Sequence, residues 1–261
     1  MINISVIIPC YNAANTIKEC LDSVINQTQK VDEIIIVDDG SIDNSVQLIE
    51  KYIESSSERI TLIKQQNFGP SKARNNGVKK AKNDWIAFLD ADDKWVSNKI
   101  EIQTKFFIQN PEIALIGGGH EKRFFKKEIT SVPIDIKKLC LKNFFETPTV
   151  MINKKAFSEF YFDEKMKYAE DYDLWLNVIN KYKALYVNNV LSYSILQKRS
   201  FGEIGLSSQI FKMEKGELDA ITNQLRLGHI NFPFYLFATT VSIIKFIRRF
   251  LITNYHRIIS K

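Results

Sequence analysis

Four short apolar runs, each closed by a polar turn, occupy the first 93 residues and fix what this chain can fold into. Ile4-Ser5-Val6-Ile7-Ile8, Glu33-Ile34-Ile35-Ile36-Val37, residues 59–64 and Trp85-Ile86-Ala87-Phe88-Leu89 read as strands, because β-branched and bulky side chains dominate them. Between them, residues 13–26 repeat Ile17, Cys20, Leu21, Val24 and Ile25 at helical spacing, Val46, Ile49 and Ile53 mark one face of a second helix, and residues 71–82 form a third. Strands buried on both faces and alternating with helices pair in parallel, with right-handed crossovers and helices on both sides of the sheet. Such sheets bind ligands outside the carboxyl ends of their strands, so residues 9–12, 38–41, 67–74 and 90–93 are expected to line one crevice.

The fourth of these turns holds Asp90, Asp92 and Asp93. Three acids so close together repel one another unless a cation or a donor-rich ligand sits between them. On an extended chain Asp90 and Asp92 leave on the same side, as a hard divalent ion bound through oxygen requires. A solvated loop is the alternative reading. A calcium loop of the helix–loop–helix kind is excluded, because its sixth position needs Gly and this chain has Trp95. No Gly-x-Gly-x-x-Gly follows the first strand and no Gly-Lys-Ser/Thr loop occurs, so a nucleotide bound here needs a metal for its phosphates.

Beyond Lys94 the alternation is lost. Residues 113–119 read as a further strand running into three glycines and His120, which is either a ligand or a hydrogen-bonded structural residue, and residues 121–142 read as irregular. Glu170-Asp171-Tyr172-Asp173 opens a helix to about Lys181 whose buried side carries Leu174, Trp175, Val178, Ile179 and Tyr182. At 100° per residue Asp171 faces the protein body and Asp173 points roughly the other way. Asp171 then either caps the helix or serves as an inward base kept ionised by the helix dipole, and both can hold together.

The net charge of +6 is local: Arg226, Lys245, Arg248, Arg249, Arg257 and Lys261 follow the last acid, Asp219, and account for all of it. That distribution argues against a nucleic-acid-binding body and for a basic anchor. Residues 230–244 are uncharged but too short for a spanning helix of about 20 residues, and they contain Pro233. Drawn as a helix over 241–259, the tail sets Lys245, Arg248, Arg249 and His256 opposite Ile243, Phe246, Ile247, Phe250, Leu251 and Ile258. It either lies on an anionic leaflet or packs on the domain with a solvated basic face. Three cysteines without a Cys-x-x-Cys pair and an N-terminus without signal-peptide features lead to the expectation of a reducing, cytosolic setting.

Pro9-Cys10-Tyr11-Asn12, Val37-Asp38-Asp39-Gly40-Ser41, Asn67-x-Gly69-Pro70-x-x-Ala73-Arg74-Asn75, Leu89-Asp90-Ala91-Asp92-Asp93 and Glu170-Asp171, in this order and spacing, resemble the inverting glycosyltransferases of family 2. The resemblance covers about residues 3–190. It implies a GT-A fold, an α/β architecture with a mostly parallel Rossmann-like sheet and helices on both faces. Residues 1–93 would be its nucleotide-binding half and 94–228 its acceptor-facing half, followed by a basic amphipathic tail over 229–261.

The resemblance further implies a UDP-sugar site. Pro9, Tyr11 and Asn12 lie by the base and ribose, Asp39 accepts the uracil imide hydrogen, and Arg74 borders the nucleotide. Asp90 lies near ribose and metal, Asp92 coordinates Mn²⁺ or Mg²⁺ on the diphosphate, and Asp171 is the catalytic base. Glu170, Asp93 and His120 are further candidates. The chain departs from many relatives at Tyr193-Ser194-Ile195-Leu196, which has neither Arg nor His, so Lys198 or Arg199 is the candidate to cover the diphosphate. A Gln-x-x-Arg-Trp motif is absent, which points to single transfers rather than processive synthesis. The expected activity is β-forming transfer of a hexose, glucose or galactose favoured, to a polyprenyl-diphosphate-linked sugar of O-antigen or capsule, at the cytoplasmic face of the membrane. A protein or soluble acceptor, or a non-catalytic nucleotide-sugar-binding scaffold, is the alternative.

Overall fold

The structure is a computed structural model and describes residues 2–196 and 209–259. The N-terminal alternation forms as β1 (Ile4–Cys10), α1 (Ile17–Ile25), β2 (Glu33–Asp38), α2 (Ser45–Ser55), β3 (Ile60–Lys64), α3 (Pro70–Lys80) and β4 (Trp85–Phe88). These four strands pair in parallel in the order β3-β2-β1-β4. Side-chain alternation splits their apolar residues between two cores. Ile4, Val6 and Ile8 of β1 pack with Leu21 and Val24 of α1 on one face, whereas Ile7 joins Val78 of α3 and Phe88 on the other. Complete burial of side chains such as Phe88 and Ile7 stabilises by about 1.5–3 kcal/mol each.

Two glycines let the first half close up. A Cβ at Gly77 would lie 2.5 Å from the Ile7 side chain, so the absence of one lets α3 lie close on β1. Gly40, with φ at +75°, turns the chain after β2 in a conformation costly for other residues.

The second half is more regular than the sequence suggests. It contains β5 (Asp93–Trp95), α4 (Lys99–Gln109), β6 (Ile113–His120), β7 (Ser131–Ile134), α5 (Ile136–Leu141), β8 (Met151–Asn153), α6 (Lys154–Ser158), α7 (Glu170–Lys181) and β9 (Lys183–Ser194). Antiparallel β8 joins β4 to β6, and β9 pairs parallel to β6 and antiparallel to β5 and β7, completing one nine-stranded sheet. Residues 121–142, expected to be irregular, include β7 and α5 because β7 finds a partner in β9 that no local pattern reveals.

A buried lysine ties this half together. Lys99 is fully buried, donates to Gln103 Oε1 at 2.7 Å and stands 4.0 Å over the Trp95 ring, while Gln103 donates to the Ile116 and Thr149 carbonyls. Trp95 Nε1 donates to the Pro148 carbonyl at 2.8 Å, so the network anchors the short 3₁₀ turn Thr147–Thr149.

The chain ends in two long helices, α8 (Ile210–Arg226) and α9 (Phe232–Ile259). Helix α8 covers α7: Asn223 donates to Asp173 and Gln224 to Asn177. Asp173, expected to face away from the body, is therefore buried, because a helix the sequence did not reveal lies over it. The two helices run antiparallel, with Thr222 against Tyr235 at one end and Phe211 against Phe246 and Phe250 at the other.

The expected free basic face of the tail is corrected in part. Arg249 pairs with Glu214 at 2.6 Å and Glu217 at 2.9 Å and turns inward, Lys245 reaches across to donate to the Leu141 carbonyl while staying exposed, and Arg248 is exposed as well. The surface left outside is apolar: Leu236, Phe237, Ile243, Ile244, Ile247, Leu251 and Ile252 are all exposed along α9. The side chains of His256 and Ile258 lie outside the described ones. Among the described residues no helix is long and apolar enough to cross a membrane.

Candidate active site

The loops at the carboxyl ends of the strands do converge. They enclose a cavity of about 1150 Å³ that Pro9, Tyr11, Asn12, Asp39, Arg74, Asp90, Asp92, Asp93, His120 and Glu170 all line. Its far wall comes from Glu121, Glu146 and residues 164–167, with Ser194 and Leu196 at the end of β9. The volume exceeds a typical small-ligand pocket, leaving room for two substrates.

On the β1–β2 side most polar groups hold the loops themselves. Asn12, at φ +50°, receives the Ile42 N–H on its side-chain oxygen, and its own N–H donates to Ser41 Oγ. Tyr11 stands half exposed at the rim. Asp39 is buried and accepts from Gln65 Nε2, Phe68 N–H and Gly69 N–H at 2.7–2.9 Å. A carboxylate has about four lone-pair sites, so Asp39 keeps roughly one for a ligand N–H. It thereby joins β2 to the 67–70 loop as well as facing the cavity.

The acidic turn after β4 differs from expectation in its backbone. Asp93 N–H donates to the Asp90 carbonyl at 3.0 Å, so the chain turns over residues 90–93 rather than staying extended. Asp90 and Asp92 still both reach the cavity, because the turn and not the pleat aims them. Asp93 is more deeply buried beside them, and burial, reinforced by the charges of Asp90 and Asp92, pushes its carboxyl up to about 9.

Asp90 and Asp92 fit a divalent cation in number and type of donor. Among the described residues no group of three or more potential ligands converges. Two carboxylate side chains suit a small hard cation that keeps water and takes its other oxygens from a phosphate, and it would relieve the crowding that Asp93 registers.

Arg74 is the centre of the charge network. It is 6% exposed, donates from Nη2 to Asp90 at 2.7 Å and from Nη1 to Glu170 at 3.2 Å, and lies 5.2 Å from the Phe162 ring centroid. It thus clamps the acidic turn to the start of α7 while bordering the cavity.

Asp171 comes off the first turn of α7 beside Glu170, after Ala169 in the left-handed conformation at φ +57°. It is partly exposed, accepts Thr147 Oγ1 at 3.1 Å and Tyr172 N–H at 2.7 Å, and does not itself line the cavity, as its neighbour Glu170 does. Burial raises its carboxyl above the ordinary range, with Arg74 and the two hydrogen bonds pulling back. Burial likewise raises Glu170, helped by Asp171 and opposed by Arg74. His120 holds Ser192 Oγ through Nδ1 at 2.9 Å, and burial pushes its pKa down, favouring neutral imidazole. Lys198 and Arg199 lie outside the described residues.

Sequence reasoning missed Glu146, a lone acid before Thr147-Pro148 with no motif to mark it. Burial, and then the charge of Asp171, push it up to about 7 against Lys122 and Lys142. The folded protein therefore binds this proton more tightly than the unfolded chain does, and stability falls as pH rises from the ordinary carboxylate range through about 7. Glu146→Gln removes that loss. In metal-free buffer the melting temperature of the variant relative to wild type is expected to increase between about pH 5 and pH 8; a difference independent of pH contradicts the assignment.

Residues 5–162 match the family model Glycosyl transferase family 2, and the chain belongs to that family. Two relatives from Escherichia coli are UDP-Glc:alpha-D-GlcNAc-diphosphoundecaprenol beta-1,3-glucosyltransferases. WfgD is 31% identical over 226 residues, 84% of this chain and 85% of its own length. WfaP is 35% identical over 196 residues, 73% and 76%. A longer uncharacterized glycosyltransferase of Rickettsia bellii is 33% identical over 195 residues, and the chain spans only 26% of its length. The GT-A fold is shared with the mannosyltransferase PcManGT of Pyrobaculum calidifontis, solved with GDP-Man and Mn²⁺ (TM-score 0.72, 18% identity, 93% of this chain and 73% of that one). It is also shared with S. aureus TarS 1–349 in complex with UDP-GlcNAc (TM-score 0.67, 20% identity, 85% and 67%).

Proposed function

We propose that this protein transfers glucose from UDP-glucose, with inversion, to a polyprenyl-diphosphate-linked N-acetylglucosamine in the assembly of a surface polysaccharide. The observation that carries this reading is the single cavity that brings Asp39, the Asp90–Asp92 turn and the Glu170 end of α7 together. The specificities of WfgD and WfaP supply the donor and acceptor classes.

In this reading Asp39 receives the uracil N–H on its remaining lone pair, and Tyr11 and Asn12 flank the base and ribose. Asp92, with Asp90, would hold Mg²⁺ or Mn²⁺, which when bound neutralises charge on the departing diphosphate. Arg74 sets the acidic turn and α7 in register, so that donor and base are aligned before the reaction begins. Asp171 takes the proton of the acceptor hydroxyl as that oxygen attacks the anomeric carbon from the face opposite the diphosphate. Its raised pKa makes it a better base than an exposed aspartate, and Thr147 fixes its orientation. An α-linked donor then yields a β-linked product.

The acceptor is membrane-bound in this reading, and the exposed apolar stripe of α9 is the part of the surface that suits the interfacial layer of a bilayer. Ile243→Asp with Ile247→Asp is expected to abolish most sedimentation with vesicles of mixed zwitterionic and anionic lipids while leaving the melting temperature within about 2 °C, since both side chains are exposed. Unchanged sedimentation contradicts the bilayer contact.

The transfer reading is tested by steady-state UDP release from a panel of UDP-hexoses, with and without Mn²⁺ and an alkyl-diphosphate-linked GlcNAc. Acceptor-dependent turnover with UDP-glucose is expected. Binding of UDP-sugars without turnover on any acceptor would favour a scaffold, and turnover with soluble acceptors alone would remove the lipid.

A further inference from the structure

Beside the cavity, three lysines from three separate elements come together, and among the described residues none of them forms an ion pair with a carboxylate, although Glu146, Glu214 and Glu217 lie near enough to be felt. Lys142 follows α5, and its Nζ lies 3.3 Å from the Phe124 ring centroid and 5.4 Å from that of Phe144. Phe124, Phe125, Phe144 and Tyr186 pack on one another, so this platform and the loop after β6 that carries Lys122 are fixed. Lys245, on α9, donates to the carbonyl of Leu141, the residue before Lys142. The charges of Lys245 and Lys122 both act on Lys142 and, with burial, lower its pKa.

Among the described residues no carboxylate pairs with any of the three, and the nearby Glu214 and Glu217 are engaged by Arg249. Like charges held together on a rigid platform oppose folding unless an anion joins them. Glu146, a cavity residue, carries a carboxyl that feels Lys122 and Lys142 as well as Asp171. Through Glu146 the lysines neighbour the part of the cavity wall nearest the proposed base. From Lys245 the outer face of α9 continues with exposed Ile243, Ile244 and Ile247.

We propose that Lys122, Lys142 and Lys245 bind the diphosphate of the lipid-linked acceptor. This rests on the transfer reading above and adds the place where the acceptor's anionic group is held. Its first sugar then extends past Glu146 towards Asp171, and its hydrocarbon chain leaves along α9 into the bilayer. Lysine ammonium groups serve as point charges for phosphate oxygens, and three of them match a group carrying two or more negative charges.

The test uses the full-length protein in nonionic detergent without phospholipid, with UDP-glucose and paired acceptors in which GlcNAc is joined to the same alkyl chain through a diphosphate or a monophosphate. Wild type is expected to prefer the diphosphate. Lys122→Ala and Lys142→Ala are each expected to raise the KM for the diphosphate acceptor about 10-fold, and the double variant more. The preference over monophosphate should collapse, with little change in the KM for UDP-glucose. Lys142→Arg, which keeps the charge, should recover most of the affinity, and Lys51→Ala on α2 should have no effect. If wild type turns over the diphosphate acceptor and the double variant shifts its KM less than about threefold, the site is wrong. A defect that appears only when anionic vesicles are added would assign the cluster to lipid headgroups and overturn the acceptor assignment. A wild type that ignores both acceptors would overturn the transfer reading and this site with it.

Discussion

Asp171→Asn is expected to lower kcat by about 10²–10⁴-fold while the affinity for UDP-sugar stays within a few-fold. Asparagine keeps the shape: its one oxygen can accept Tyr172 N–H, and its amide nitrogen, in place of the oxygen that now accepts from Thr147, can donate to the rotated Thr147 Oγ1, so the start of α7 keeps its two local contacts. What it loses is the capacity to take a proton from the attacking oxygen, the role proposed for Asp171. Asp171 does not line the cavity that holds the proposed donor residues, so donor affinity is expected to be largely independent of it. The check is a split measurement, kcat by UDP release and donor affinity by calorimetry. Loss of donor affinity in step with kcat would assign Asp171 a structural role.

The largest effect on stability is expected at Arg74. Arg74→Met leaves Asp90 and Glu170 without the cation that pairs with both, in a site where water does not readily replace it. Breaking a buried pair in this way costs about 3–5 kcal/mol, because the stranded charges remain. For a chain of this size that is a fall in melting temperature on the order of 10 °C. Methionine keeps some of the packing on Phe162, so the loss reports charge more than volume. Turnover should fall as well, since Arg74 joins the acidic turn after β4 to the helix that carries the proposed base. A melting temperature within about 2 °C of wild type would show that the clamp does not hold these elements together.

The first half of the fold was legible because its physics is local. Strands buried on both faces must be apolar runs, and the helices between them must repeat at 3.6 residues, so β1 to β4 and α1 to α3 could be placed from the sequence. The position of the site followed, because parallel topology forces strand ends together. The second half depends on pairings between distant segments. Strands β5 and β8 have three residues each, too short to show a period, and β9 carries Asn188 and Asn189 in its middle.

The same division holds for the side chains. The acids that end strands or start a helix were found. Glu146 and the lysine cluster were not, because each gains its role from neighbours more than 20 residues away, as Lys245 does from Leu141 at a separation of 104. The tail misled in a different way: Glu214 and Glu217 of α8 draw Arg249 inward and Phe211 takes up Phe246 and Phe250, so the face left outward is the one with Ile243, Ile247 and Leu251.

In the proposed reaction one carboxylate, Asp171, activates an acceptor hydroxyl on the face of the sugar opposite the diphosphate. The anomeric configuration of the product tests it most directly. Proton NMR of the disaccharide released from the lipid-diphosphate acceptor after transfer from UDP-α-glucose should show a β-glucosidic linkage. An α-linkage would mean net retention, which a single base and one in-line displacement cannot produce, and would contradict this account of the site.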